Sequence, residues 1–303
     1  MGLLDEVRAH AATVADSARF VAIDRARLRE YAAALPLDQA RAPELDPATH
    51  YVGERESTLA YLVTLDAINF GSGYFPHLRK RPGLSGYFTV ASSLKDVWDA
   101  KGPLSARELE GLDAEACANM VGQALEDAAV AELMTLFARA LNDLGGYLAA
   151  QFDGQFRGLV DAADGSAEKL ATLLAVMPFY ADHGFYKRAQ LTAADLAVAR
   201  VAEFRDLDRL TIFADNLVPH VLRVDGVLRY DPDLLARINR EQLIPAGSPE
   251  ELEIRACALH AVELIRDRLD GVTSMQLDYV LWNRGQQPEY KAQPRHRTRT
   301  VFY

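Results

Sequence analysis

Cysteine is nearly missing from this 303-residue chain, which carries two, Cys117 and Cys257. Neither stands at metal-ligand spacing, and a disulfide framework would need more of them. Both fall within helical patterns and are expected as core thiols. Long apolar runs are missing as well, and no stretch approaches the ~18–20 residues that cross a bilayer. The N-terminal stretch mixes acids and bases throughout and lacks the apolar centre of a signal peptide. Met1-Gly2 does not open a myristoylation signal, because Glu6 stands where Ser or Thr is wanted. These absences lead to the expectation of a cytosolic protein with no membrane partner.

Positive charge is also in short supply. Against 43 acidic residues there are 33 Lys and Arg, for a net charge of −10. Proteins that hold a nucleic-acid polymer draw most of their affinity from phosphate neutralisation by a basic surface. Such a partner is therefore not expected here, although a single phosphate group is easily accommodated. Basic residues cluster at His77-Leu78-Arg79-Lys80-Arg81 and at Arg295-His296-Arg297-Thr298-Arg299. The chain also lacks GxGxxG after a strand, GxxxxGK, HExxH and GxSxG, which removes the common dinucleotide, P-loop, zinc and serine-hydrolase signatures. No cofactor and no metal is expected.

What the chain does have is helix signal. Ser105-Ala106-Arg107-Glu108 is a capping box, and Thr192-Ala193-Ala194-Asp195 a weaker one. Ser248-Pro249-Glu250-Glu251 places proline at a first helical position. It opens a stretch, apolar on most faces, that should be a central buried helix. Further helical patterns cover roughly 2–18, 23–34, 54–70, 90–100, 114–150, 165–176, 192–205 and 232–241. Strand candidates are few: Gly86–Val90, a hairpin of Val221–Val224 with Val227–Tyr230 around Asp225-Gly226, and Thr300–Tyr303. With no βαβ alternation, repeat or linker, residues 1–303 read as a single mainly α domain with a small accessory β element.

Four segments place polar residues inside apolar runs. In Leu210-Thr211-Ile212-Phe213-Ala214-Asp215-Asn216, the Asp215 carboxylate is costly unless partnered or used. It suits either a helix cap or a catalytic group. In Leu277-Asp278-Tyr279-Val280-Leu281-Trp282-Asn283, three polar positions interrupt an apolar helix. A carboxylate beside aromatics suits a base with N–H donors, and equally a half-exposed core rim. Lys187-Arg188, between Tyr186 and a helix, suits a phosphate or a solvated surface. Asn69 and Phe70, running into Gly71-Ser72-Gly73, are pocket material or an ordinary helix stop. Asp231-Pro232 reads as an N-cap followed by an N1 proline, so structure explains that acid.

The segments LTIFADNLVPHVL, FYKRAQL, EIRACALHAVELIRD, LDYVLWN and the terminal HRTRTVFY, in this order, resemble the queuosine salvage protein family. Its members are queuosine 5′-phosphate N-glycosylase/hydrolases. The resemblance implies a fold like that of helix-hairpin-helix DNA glycosylases. It implies Asp215 of the FAD triplet as the catalytic carboxylate, Phe213, Asp278 and Tyr279 as groups that hold the base, and His50 as a loop contact. Asn69, Phe70, Lys187 and Asn283 complete the implied binding set, with Asn283 standing where the family often has an acid. The implied substrate is a small nucleotide, queuosine 5′-monophosphate. Its 7-deazaguanine base has no N7 to protonate, and its aminomethyl cation suits an acidic pocket. Two alternatives belong to other classes. A DNA-repair glycosylase sits poorly with the acidic charge, and a non-catalytic nucleotide-binding protein has no use for a carboxylate at Asp215.

Overall fold

The computed structural model describes residues 2–37 and 44–303. In chain order its first elements are α1 (Leu3–Asp16), β1 (Val21–Ile23), α2 (Arg25–Ala34), α3 (Arg55–Ala67), α4 (Gly86–Lys101), α5 (Ala106–Glu110), α6 (Ala114–Met120), α7 (Ala128–Phe152), α8 (Phe156–Ala162) and α9 (Ala167–Leu174). They are followed by α10 (Lys187–Val198), α11 (Val218–Val224), β2 (Leu228–Tyr230), α12 (Pro232–Asn239), α13 (Pro249–Arg266), α14 (Ser274–Arg284) and α15 (Pro288–Lys291). The protein is mainly α-helical, with one two-stranded sheet among the described residues. No described helix is long and apolar enough to cross a membrane.

Two compact units make up the chain. The first draws its described residues from Met1–Pro43, His183–Lys187 and Asp206–Arg299. At its centre lies α13, packed against α1, α2, β1, α11 and α14. Its run Ile254, Ala256, Cys257, Ala258, Leu259, Ala261, Val262 and Ile265 is wholly buried, as expected for a helix apolar on most faces. Ser248 caps it through Glu251 N, with Pro249 at the first turn. The charged residues it buries are tied down. Glu253 Oε2 accepts from the amides of Arg19, Phe20 and Val21 at 2.9, 2.6 and 3.1 Å, which holds β1 in place. Glu263 takes Arg8 Nε at 2.8 Å and Ser274 Oγ at 2.6 Å.

The second unit comprises Glu44–Asp182, Arg188–Arg205 and Thr300–Tyr303. Here α7 is central, contacting α3, α5, α6 and α8. Its buried stripe, Val130, Leu133, Met134, Phe137, Leu141, Leu144 and Leu148, recurs at helical spacing. Gly145 lets α5 approach, since a Cβ there would meet Ala106 O at 2.4 Å. The C-terminal segment is pinned by Gly71 N, which donates to Tyr303 O at 2.9 Å.

Several local expectations are corrected. Val221–Val224 is not a hairpin strand. Pro219 sets a helical φ, and the segment continues as α11 until Asp225 and Gly226, the latter at φ 79°. Leu228–Tyr230 pairs instead with β1, antiparallel, with Val21 opposite Tyr230 and Ile23 opposite Leu228. Gly86–Val90 opens α4, because the Ser85 hydroxyl accepts from Phe88 N and starts a helix. Thr300–Tyr303 forms no strand. The 114–150 pattern breaks into α6 and α7. Gly122 lies just beyond α6 at φ 66°, and Asp127 re-caps the chain through Ala129 N and Val130 N. Thr192 is no cap; it lies inside α10 and donates to Arg188 O at 2.9 Å. Ser105 with Glu108 does form a capping box, and Asp231 does cap α12. Cys117 and Cys257 are both fully buried thiols.

Candidate active site

In the first unit, α14 begins at a capping box formed by Thr273 and Gln276, which fixes its rotation. Leu277, Val280 and Leu281 pack into the core, and the same inward side carries Asp278, 4% exposed. Asp278 Oδ1 accepts the amide hydrogen of Phe213 at 2.9 Å. Phe213 belongs to the extended stretch before α11, and its ring lies 6.4 Å from that of Tyr279, tilted by 55°. The Asp278 carboxyl is thus bonded to the backbone of one of these aromatic residues and is adjacent in sequence to the other.

Asp215 follows two residues later. Its Oδ1 accepts from Leu217 N at 2.7 Å and from Val218 N at 3.3 Å, so it serves the turn that opens α11. Among the described residues its other oxygen carries no hydrogen bond. Asp215 is half-buried, whereas Asp278 is buried. Both alternatives raised for Asp215 are thus compatible: one oxygen is committed to the turn and the other is available. The pair is electrostatically coupled. Burial, and then the charge of Asp215, push the Asp278 carboxyl up to about 8, against opposing contributions from the Phe213 amide and Lys187.

Lys187, at the start of α10, is buried rather than solvated, and its charge reaches Asp278. Arg188, its neighbour in sequence, is no phosphate clamp. It is 2% exposed and donates to the carbonyls of Asp66, Ala67, Phe179 and Val301 within the second unit. Its guanidinium lies 4.9 Å from the Phe70 ring centre and 4.6 Å from that of Tyr180. Phe70 is accordingly core, packed at 5.2 Å on Phe137, and Asn69 is half-buried at the end of α3. His50, also in the second unit, is buried with Nε2 3.0 Å from the Tyr87 hydroxyl and Nδ1 3.0 Å from Thr49 Oγ1. Burial holds its pKa below the ordinary histidine value. Asn283 is exposed near the end of α14. Five residues beyond Asp278, at about 100° per residue, it faces elsewhere.

Two residues gain importance that sequence reasoning did not give them individually. Arg255, in the middle of α13, donates from Nε to Ala214 O at 2.9 Å and lies 4.0 Å from the Phe185 ring centre. It thereby fixes the backbone immediately before Asp215. An arginine inside the apolar run of α13 was the available signal. Arg295, in the basic tail, has its guanidinium pKa lowered by desolvation, against the opposing charge of Asp215. Arg297 of the same tail pairs with Glu241 at 2.6 Å. Among the described residues no group of three or more His, Cys, Asp or Glu side chains could hold a metal ion. A surface depression of about 490 Å³ in this unit, lined by Asp24, Arg27, Arg223, Arg229 and Tyr230, includes none of the candidate residues.

A helical protein that holds one buried carboxyl against a second, half-buried one, with aromatic rings alongside, has the components of a nucleobase-handling hydrolase. The family model for queuosine salvage protein matches residues 49–303. The chain is 34% identical over 310 residues to the queuosine 5′-phosphate N-glycosylase/hydrolase of Sphaerobacter thermophilus, covering 96% of this chain and 95% of that one. It is 30% identical to the protein of that name from Mus musculus, with 98% of each chain covered. The Dictyostelium discoideum protein of the same name is 30% identical, across 82% of this chain and 79% of its own. The chain belongs to the queuosine salvage protein family.

Proposed function

We propose that this protein hydrolyses the N-glycosidic bond of queuosine 5′-phosphate and releases queuine. The observation that carries the reading is the Asp215–Asp278 carboxyl pair, inside the region matched to the family and to relatives that bear that name. Cleavage of the C1′–N9 bond develops positive charge on the ribose. The ionised Asp215, with one oxygen anchored and the other open, stabilises that charge and orients the attacking water. Asp278 meets the guanine-like edge of the base by hydrogen bonds, and Phe213 and Tyr279 supply apolar faces. Lys187 balances charge at the base end, and Arg295, beside Asp215, is the cation for the 5′-phosphate. His50, Asn69 and Phe70 remain assigned to substrate binding on the family resemblance alone, as does Asn283 despite its exposure.

On this reading the chain acts as one hydrolase domain with a helix-hairpin-helix glycosylase-like frame. It works in the cytoplasm without a cofactor, on a free nucleotide rather than on a nucleic-acid polymer or at a membrane. The test is direct. The protein is incubated with queuosine and with its 5′-monophosphate, and free queuine is followed by mass spectrometry. Release from the nucleotide in preference to the nucleoside is the expected result. Absence of queuine from both would overturn the reading.

A further inference from the structure

Asp278 has more to do than mark the edge of a base. A carboxylate buried this deeply needs either a cation in contact or several N–H donors to stay ionised. Asp278 has one backbone amide, that of Phe213, on Oδ1. That bond ties α14 to the residue two before Asp215, so a second carboxylate is held close by on a short stretch of chain. Two neighbouring carboxyl groups in a dry site divide their roles, with the more buried one keeping the proton. The charges that reach Asp278 are those of Asp215 and Lys187. Several charged groups on the elements packed against α14 have recorded partners other than Asp278. His220 and Arg223 of α11 meet the carbonyls of Tyr290 and Pro294, Arg255 of α13 meets Ala214 O, and Glu263 meets Arg8 and Ser274. Arg209, in the turn at Leu207–Arg209, pairs with Asp5.

We propose that Asp278 carries a proton in the resting protein and passes it to the base as the C1′–N9 bond breaks, with Asp215 as the ionised member of the pair. The inference rests on the function proposed above and names the acid for that reaction. Because Oδ1 accepts from Phe213 N, the proton resides on Oδ2. A neutral carboxyl complements the lactam edge of a 7-deazaguanine: Oδ2–H donates to O6 while Oδ1 accepts from N1–H. The glycosidic electron pair leaves with the base, whose negative charge spreads to O6, where the Asp278 proton neutralises it. Water adds its oxygen to C1′ and gives its proton to Asp215. Asp215 releases that proton to solvent, solvent returns one to Asp278, and the O6–H tautomer of the freed base relaxes to the N9–H form. The products are queuine and ribose 5-phosphate, with no oxidant or reductant consumed. The absence of N7 in this base class removes the usual purine protonation site, so an acid at the guanine-like edge supplies help that N7 cannot. The upward displacement of the Asp278 carboxyl to about 8 agrees with this assignment.

Two measurements test it. First, kcat/KM for queuosine 5′-phosphate is followed against pH for the wild-type protein and Asp278→Asn. The wild type should lose activity as pH rises through about 8, where Asp278 ionises. The variant should be slower by ~10²–10⁴-fold and should lack that alkaline limb. A limb that persists unchanged in Asp278→Asn would overturn the proposal while leaving the hydrolase reading intact. Second, infrared spectra of the wild-type protein, labelled with ¹³C in its aspartate carboxyls, report protonation without any need for turnover. A protonated-carboxyl band should be present at about pH 6, vanish at about pH 10, and be missing from Asp278→Asn. No such band in the wild type sinks the assignment whatever the kinetics show. A wild-type protein that releases no queuine at any pH overturns the function and this inference together.

Discussion

The amide of Phe213 donates to Asp278 Oδ1 across 2.9 Å, joining residues 65 positions apart in the sequence. This one bond sets the distance between a carboxyl on α14 and the turn that carries Asp215. It also leaves Asp278 with too few donors to be comfortable as an anion in its buried position. The first two predictions follow from that relationship.

Asp215→Asn removes the charge and keeps an acceptor for Leu217 N and Val218 N. Turnover of queuosine 5′-phosphate should fall by ~10²-fold or more, with little change in thermal stability. Asp215→Ala should lose the same activity and in addition about 1 kcal/mol of stability, as for other lost helix caps. Calorimetry alongside the queuine-release assay separates the two effects. Near wild-type turnover in folded Asp215→Asn would remove this residue from catalysis.

Asp278→Asn should stabilise the fold at neutral pH. Its folded carboxyl is raised to about 8 from an ordinary value of 3.8. The folded state therefore holds a proton that the unfolded chain gives up across that window, so stability falls as pH rises from about 4 to about 8. Below the window the carboxyl is neutral in both states and costs nothing. The variant's melting temperature should match the wild type at about pH 4 and exceed it at about pH 8, where the raised carboxyl costs the wild type on the order of 5 kcal/mol of stability. Equal melting temperatures at both pH values would contradict the burial argument.

The two cations beside the pair should separate kinetically. Arg295→Met should erase most of the preference for nucleotide over nucleoside, read as the ratio of their kcat/KM values, because the 5′-phosphate is then without its partner. Lys187→Met should change that ratio little. It removes a charge that opposes the upward displacement of Asp278, so the alkaline limb should move to higher pH. The reverse pattern would assign the phosphate to Lys187.

Gly285 ends α14 against the start of α11, and a Cβ there would lie 2.8 Å from Leu217 Cδ1 and 3.0 Å from Val221 Cγ2. Gly285→Ala should cost ~1–3 kcal/mol by overpacking. Because Leu217 N is one of the donors to Asp215, activity should fall further than the lost stability explains. Chemical denaturation with a parallel assay, under conditions where the variant is fully folded, checks both.

Arg255→Met should destabilise by ~3–5 kcal/mol, since it leaves Glu251, 3.6 Å away and 3% exposed, without its buried cation. Arg255→Lys keeps the charge and loses the planar stack on Phe185 together with the Nε bond to Ala214 O. It should unfold later than the Met variant, with a turnover defect that remains after folding is restored.

The sequence by itself determined what local chemistry can determine. Capping at Ser105, Asp231 and Ser248, the proline at 249 and the all-round apolar run of α13 act within a turn or two of chain, so their outcome is written where they stand. The acid inside Leu-Thr-Ile-Phe-Ala-Asp and the acid inside Leu-Asp-Tyr-Val-Leu were visible as costs that something must offset. Tertiary structure decided how. It placed Asp278 on Phe213 N and within reach of the charge of Asp215, a pairing no periodicity encodes because the bonded residues are 65 positions apart. It buried Lys187 next to Asp278 while spending Arg188 on four carbonyls, although the two cations are adjacent in sequence and chemically alike. It gave Leu228–Tyr230 to β1 rather than to Val221–Val224, because Pro219 had already committed that segment to helix. Long-range contacts decide these matters because each concerns which partner removes a polar group or an unpaired strand from water, and the nearest such partner lies far along the chain.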